Sequence, residues 1–298
     1  MPSAAVVGTG LIGTSIALAL RGRGVTPFLL DQNPDAAHTA AGLGAGVVGV
    51  PRTPVDLAIL AVPPQHVAAT LREHQLRRLA HDFTDVASVK VRPLQEAAEL
   101  GCDVTRYVGG HPMAGREQSG PLAARGDLFH GRPWVLTPHA TVREQAVGRA
   151  RELAELCGAE PVVMEHAEHD RAVALTSHAP HVVASLLATR LLHGDESQLR
   201  LAGQGLRDVT RIAGGDSELW TDILASNAHA VAEVLAEFAL DLHDVVDALR
   251  DLGTCAPARH RTSRAHLTTA LVRGVQGRSR IPARTAGGLR LSGVAAGS

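Results

Sequence analysis

Lysine is almost missing from this chain: of 29 basic residues, all but Lys90 are arginine. A drift of lysine to arginine across the whole gene explains the scarcity. It also marks Lys90 as a position where a compact ammonium does what a planar guanidinium does not. Cysteine is scarce too. Cys102, Cys157 and Cys255 are scattered and odd in number, which excludes a disulfide framework and fits a reducing cytoplasm. Charge of one sign is lacking, with 29 basic residues against 30 acidic ones. Such a balance leaves no electrostatic footprint for nucleic acid or an anionic membrane. No apolar run approaches the roughly 18 residues that span a bilayer. No charged leader precedes the first apolar run, so no signal peptide is expected. What the chain does have is 298 residues, 45% of them hydrophobic. This suits two domains with real cores and argues against disorder.

Short apolar runs alternate with helical patterns through the first half. Strands are predicted at 4–7, 27–31, 46–50, 56–62, 83–87, 106–109, 134–136 and 161–164. Helices are predicted at 14–21, 35–44, 66–80, 92–100 and 141–157. Continuous apolar strands between helices indicate a parallel sheet covered on both faces. From about 165 the strands stop, and helical stretches follow at 168–193, 196–213 and 217–252. The expected architecture is α/β: a Rossmann-type domain over 1–164, then an all-helical domain over 165–280. A tail over 281–298, rich in Gly, Ala and Ser, is expected to be disordered. The helical domain carries more apolar surface than it can bury alone, which predicts a homodimer through it.

Five segments carry chemistry. Gly8-x-Gly10-x-x-Gly13 lies between a strand and a helix, and Asp31 ends the next strand. Gly8 permits the tight turn, Gly10 lets a pyrophosphate approach, and Gly13 lets strand and helix pack. Leu11 and Ile12 inside the motif, with Val62 and Pro63 after strand 56–62, complete the expected cofactor contacts. Asp31 would bind ribose hydroxyls and repel a 2′-phosphate, which favours NAD; Arg23 or Arg52 leaves room for NADP. In Asp85-Val86-Ala87-Ser88-Val89-Lys90, Ser88 and Lys90 are expected at the cofactor crevice. A helix-capping serine and a solvated lysine is the alternative. His111 stands between Gly110 and Pro112 on a loop after a strand, a place suited to a general base. His178 and His181 share a helix face, and Pro180 should kink that helix. Arg207 and Arg211 share a face suited to carboxylates; a solvated face with an Asp208–Arg211 ion pair is the alternative. His166-x-x-His169-Asp170 reads as surface rather than a metal site, and no metal is expected.

GTGLIGTS, DVASVK, GGHPMAGREQSG, AEHDRAVALTSHAPH and GLRDVTRIAGGDSELWTDILASN, in this order, resemble the signatures of the prephenate dehydrogenase family. The resemblance covers about 1–250, with Ala87 where glycine is common. It implies NAD-dependent oxidative decarboxylation of prephenate, a small-molecule substrate, to 4-hydroxyphenylpyruvate. It implies that His111 accepts the C4 hydroxyl proton and that Ser88 orients His111. Arg211 should bind a substrate carboxylate, with Ser177, His181 and Trp220 lining the pocket. Lys90 should fix a loop near the cofactor or a carboxylate. Arg116 and Glu117 should shape the site from this chain or its partner. Relatives often continue into an amino-acid-sensing domain; the chain stops short of one, so feedback through it is expected to be absent. Arogenate and 4-amino-4-deoxyprephenate are the alternative substrates, and a non-catalytic NAD sensor is the remote alternative.

Overall fold

In the computed structural model, residues 3–115, 118–254 and 257–282 are described. The apolar runs form eight strands: β1 (Ala4–Val7), β2 (Phe28–Leu30), β3 (Val47–Val48), β4 (Val55–Leu60), β5 (Ala80–Asp85), β6 (Tyr107–Pro112), β7 (Pro133–Thr137) and β8 (Glu160–Val163). They make one sheet in the order 3-2-1-4-5-6-7-8. Helices α1 (Leu11–Arg21), α2 (Pro34–Gly42), α3 (Val67–Leu76), α4 (Val91–Glu99) and α5 (Glu144–Leu156) connect the strands. Side chains alternate across the pleat, so one face of the sheet carries Val6, Leu57 and Ile59 in one cluster. Ala5, Val7, Ala58 and Leu60 go to the other. Both clusters are sealed from water, which is why these strands read as unbroken apolar runs. Truncating Leu57 or Ile59 to alanine would cost about 2–5 kcal/mol in lost packing.

Several strands depart from expectation, and β6 runs on to Pro112, so His111, expected on a loop, lies in the strand itself. The sheet is parallel from β3 through β6, but β7 pairs antiparallel with β6, and β8 parallel with β7. The β6–β7 connection holds a 3-10 turn (Pro121–Ala123) rather than a crossover α-helix, so β7 can return alongside β6. Strand β5 begins and ends earlier than predicted. Its first half is polar because Asp82 pairs with Arg149. Its end is set by Asp85, whose Oδ1 accepts from Ala87 N at 2.7 Å and turns the chain.

The chain divides into two compact units, one running to Ala230 and one from Val231. The first unit continues past the sheet with α6 (His166–Val173), a π-helical turn (Ala174–His178), α7 (Ala179–Arg190), α8 (Glu196–Leu199), α9 (Gln204–Thr210) and α10 (Ser217–Ser226). Where a kink is expected, the structure has this π turn. Pro180 has no N–H to give the Thr176 carbonyl, so the ladder slips by one residue before it. By length and composition, His166–His193 is long and apolar enough to cross a bilayer, which the sequence reading did not anticipate. Its buried side chains include His169, Asp170, His178 and His181.

The stretch 217–252 is not one helix. It breaks at Asn227, between α10 and α11 (Ala228–Leu252). The second unit contains most of α11 together with α12 (Pro257–Ser279). Helix α12 was not foreseen, because its apolar residues do not gather on one face of the helical wheel. From 283 on, the expected tail lies outside the described residues.

Candidate functional site

The nucleotide crevice lies at the carboxyl ends of β1, β2 and β4. Gly8 has φ +98, and a Cβ on it would sit 2.3 Å from the Ala61 carbonyl oxygen, so only glycine fits against β4. At Gly10 the reverse holds: a Cβ would meet nothing within 4 Å. The empty space opens onto the start of α1, which has no side-chain cap and no acid in its first turn. Free amides at a helix N-terminus facing open space suit a phosphate. Asp31 stands beside this turn. Its Oδ2 accepts from Thr9 N at 2.6 Å and Thr9 Oγ1 at 2.8 Å, and its Oδ1 accepts from Asn33 N at 2.9 Å. The carboxylate is thereby held between the glycine turn and β2. Leu11, Ile12 and Val62 are half-buried at the crevice, and Pro63 is exposed. These residues fit a dinucleotide.

Next along the sheet, β6 carries His111 near its end. Beneath it, Gly109 and Gly110 have no room for side chains. A Cβ on Gly109 would lie 2.5 Å from Thr137 Oγ1, and one on Gly110 would lie 2.5 Å from the Asp85 carbonyl oxygen. Lys90 occupies this dense space. Its ammonium is fully buried, pairs with Asp85 and donates to the Gly110 carbonyl. Tyr107 donates to the other Asp85 oxygen at 2.5 Å. Burial pulls the Lys90 pKa down, with Asp85 opposing, and burial with the Asp85 charge pushes the Tyr107 phenol well up.

Helix α6 packs against this strand end. His111 Nδ1 is 2.8 Å from His169 Nε2, and His169 Nδ1 is 2.7 Å from Asp170 Oδ1. Asp170 also accepts from Lys90 N at 2.8 Å and Val91 N at 3.0 Å. Asn227 Nδ2 donates to the Asp170 carbonyl at 2.8 Å and lies 3.1 Å from His178 Nδ1. His181 stacks on Trp220, with centroids 3.6 Å apart and planes 13° from parallel. His178 meets the same indole edge-on. Burial holds the His111 imidazolium well below its usual range, with His169, Lys90 and His178 adding repulsion. Burial takes His178 to about 4 and lowers His181.

Two expected roles need correction. Ser88 does not orient His111: its Oγ is buried without a hydrogen-bond partner, and the partner of His111 is His169. Lys90 does not face a substrate or the crevice, because its ammonium is sealed under the strand. Ser177 is half-buried on the π turn, and Arg211 is exposed at the turn after α9. Asp208 bonds Gln204 at 2.7 Å. Arg116 and Glu117 lie outside the described residues. Sequence reasoning missed His169 and Asp170, reading them as surface; both are buried. Val173, one turn after His169 and also buried, was the available signal that this face points inward. Among the described residues, no group of three His, Cys, Asp or Glu is arranged to hold a metal.

Known proteins resemble this chain along most of its length. The family described as "Prephenate dehydrogenase, nucleotide-binding domain" matches residues 16–163. "Prephenate dehydrogenase, dimerization domain" matches 165–254. The probable prephenate dehydrogenase NovF of Streptomyces niveus is 44% identical over 289 residues, covering 95% of this chain and 78% of that protein. The crystal structure of prephenate dehydrogenase from A. aeolicus, in complex with hydroxyphenyl propionate and NAD+, superposes with a TM-score of 0.81 at 26% identity. That match covers 95% of this chain and 99% of the other. Synechocystis arogenate dehydrogenase gives a TM-score of 0.71 at 27% identity, over 93% and 98% of the two chains.

Proposed function

Because the chain belongs to the prephenate dehydrogenase family, we propose that it oxidises prephenate with NAD and releases the ring carboxylate as CO2, giving 4-hydroxyphenylpyruvate. The observation that carries this reading is a half-buried histidine, His111, on the strand end beside a crevice shaped for a dinucleotide. Bound NAD supplies the hydride acceptor for C4. The Gly8–Gly13 turn and the start of α1 hold the pyrophosphate, and Asp31 takes the ribose hydroxyls. His111 accepts the proton of the C4 hydroxyl as the carbonyl develops, and departure of the C1 carboxylate completes the aromatic ring. Aromatisation makes the step effectively irreversible, so the protein's part is positioning and proton removal.

Arg211 binds a substrate carboxylate, and the stacked His181–Trp220 pair with Ser177 walls the pocket. Ser88 Oγ, buried and unpartnered in the chain, hydrogen-bonds the substrate hydroxyl or the nicotinamide. The expected domains, 1–164 for the nucleotide and 165–280 for substrate and dimer, assign these roles to the sheet and the helices. Cys102 and Cys157 are free thiols, in keeping with a cytoplasmic enzyme. The likeness to an arogenate dehydrogenase supports a second reading, in which an amino acid side chain replaces the pyruvyl group. Steady-state assays with prephenate, arogenate and 4-amino-4-deoxyprephenate decide between them. The highest kcat/KM is expected with prephenate and NAD; a clear preference for either other substrate replaces this reading.

A further inference from the structure

We propose that His169 and Asp170 are positioning residues that fix the ring tautomer of His111, so that its Nε2 carries the lone pair that takes the substrate proton. The proposal rests on the reading of His111 as the base and adds what holds that base ready.

The argument follows the direction of each hydrogen bond. Lys90 N and Val91 N, at 2.8 and 3.0 Å from the two Asp170 oxygens, can only donate. Both Asp170 oxygens are therefore acceptors. They also lie at the start of α4, where a negative charge is favoured. His169 Nδ1, at 2.7 Å from Asp170 Oδ1, must then carry its hydrogen. In its neutral form His169 has one N–H, so its Nε2 is bare and accepts. His111 Nδ1, at 2.8 Å from it, must donate. That leaves His111 Nε2 with the lone pair, and this nitrogen makes no hydrogen bond among the described residues. The Asn227 amide fixes the Asp170 main chain, so the start of the chain of bonds is held from a second side.

The proton balance is simple. The substrate O–H bond breaks, an Nε2–H bond forms on His111, and the C4 hydride leaves to the nicotinamide. The positive charge created on the ring is met by the Nδ1–H bond to His169, which is backed by the Asp170 carboxylate. This offsets the hostile surroundings of the imidazolium, where burial comes first and any charge on His169, then Lys90 and His178, disfavours it. A carboxylate orienting a catalytic histidine through its Nδ1–H is a known device. Here a second histidine is inserted between the two.

Ring-15N histidine NMR tests this whether or not the protein turns over a given substrate, with the His111 signals assigned by their loss in His111→Asn. The wild-type ring is expected as the Nδ1–H tautomer. In His169→Leu it should revert to Nε2–H, with kcat falling about 10²-fold or more and KM within about threefold. His169→Gln keeps an acceptor near the Nε2 position, so it should hold the Nδ1–H form and retain more activity than the Leu variant. An unchanged NAD dissociation constant shows that each variant is folded. If His169→Leu does not fold, the wild-type spectrum and the Gln variant decide. A wild-type His111 in the Nε2–H form overturns the proposal, as does a folded Leu variant with unchanged tautomer and kcat. Absence of turnover with all three substrates would instead overturn the proposed function, leaving the tautomer result to stand on its own.

Discussion

At the scale of single residues, the division of labour proposed for His111 and Arg211 is open to direct measurement. His111→Asn should lower kcat about 10²–10⁴-fold with KM nearly unchanged, as removal of a general base does. Arg211→Ala should mainly raise KM, because a carboxylate contact persists from ground state to transition state. Near wild-type kcat in the His111 variant would displace the mechanism. The base must be neutral to act. Burial, joined by Lys90 and by any charge on His169 and His178, keeps the imidazolium well below its usual range. The kcat/KM profile should therefore stay level as pH falls through 6.5 and decline only further down, and a limb centred at 6.5 or above would contradict this. Sequence showed His111 through its glycine–proline frame, though it read the position as a loop rather than the strand it is, and Lys90 through its uniqueness. It misjudged Lys90 because a lone lysine reads alike whether it faces a ligand or is buried on Asp85. His169 and Asp170 were hidden because their partners are 58 and 80 residues away in the chain.

At the scale of elements, the β1 turn, α1 and the end of β2 act as one piece. Asp31 is tied to Thr9, so its charge sits at the glycine turn itself. The expected outcome is kcat/KM for NAD well above that for NADP, with Asp31→Ala narrowing the gap. Equal or better efficiency with NADP in the wild type would reject the role given to Asp31. Buried parallel strands were legible because both faces are apolar. The start of β5 was not, since Asp82 is satisfied by Arg149 from another element. Neither was the direction of β7, which local sequence does not encode. The break at Asn227 escaped notice because an asparagine inside an apolar helical pattern looks like a solvated one, whereas this side chain bonds Asp170 and lies beside His178.

At the scale of the whole molecule, the helices leave large apolar side chains in water, including Leu192 at 81% and Leu240 at 70% exposed. A homodimer through the helical part would cover such surface. Light scattering at micromolar concentration should return twice the chain mass, and a monomer would contradict it. Acid stability gives an independent check. His178 titrates near 6.5 when unfolded and at about 4 when folded. Its contribution is complete above 6.5 and is lost as pH falls toward 4, because the unfolded chain takes the proton first. From this residue alone, stability at pH 5 should lie about 2 kcal/mol below that at pH 8. His178→Asn, which cannot titrate, should flatten the urea-denaturation difference by that amount.

The reversal of the sheet at β7 has a consequence for how such an enzyme changes over evolutionary time. Pro112 pairs with Trp134 across an antiparallel step, so the chain leaves β6 and re-enters β7 at the same rim of the sheet. That rim also carries His111. The connection from Met113 to Arg132 therefore starts and finishes beside the reacting groups, and no strand register depends on its length. Insertions, deletions and exchanges in its part before the buried Leu128 and Phe129 can redraw the rim while the eight-stranded frame is inherited intact. Substrate preference in this lineage is free to diversify through one segment without renegotiating the fold.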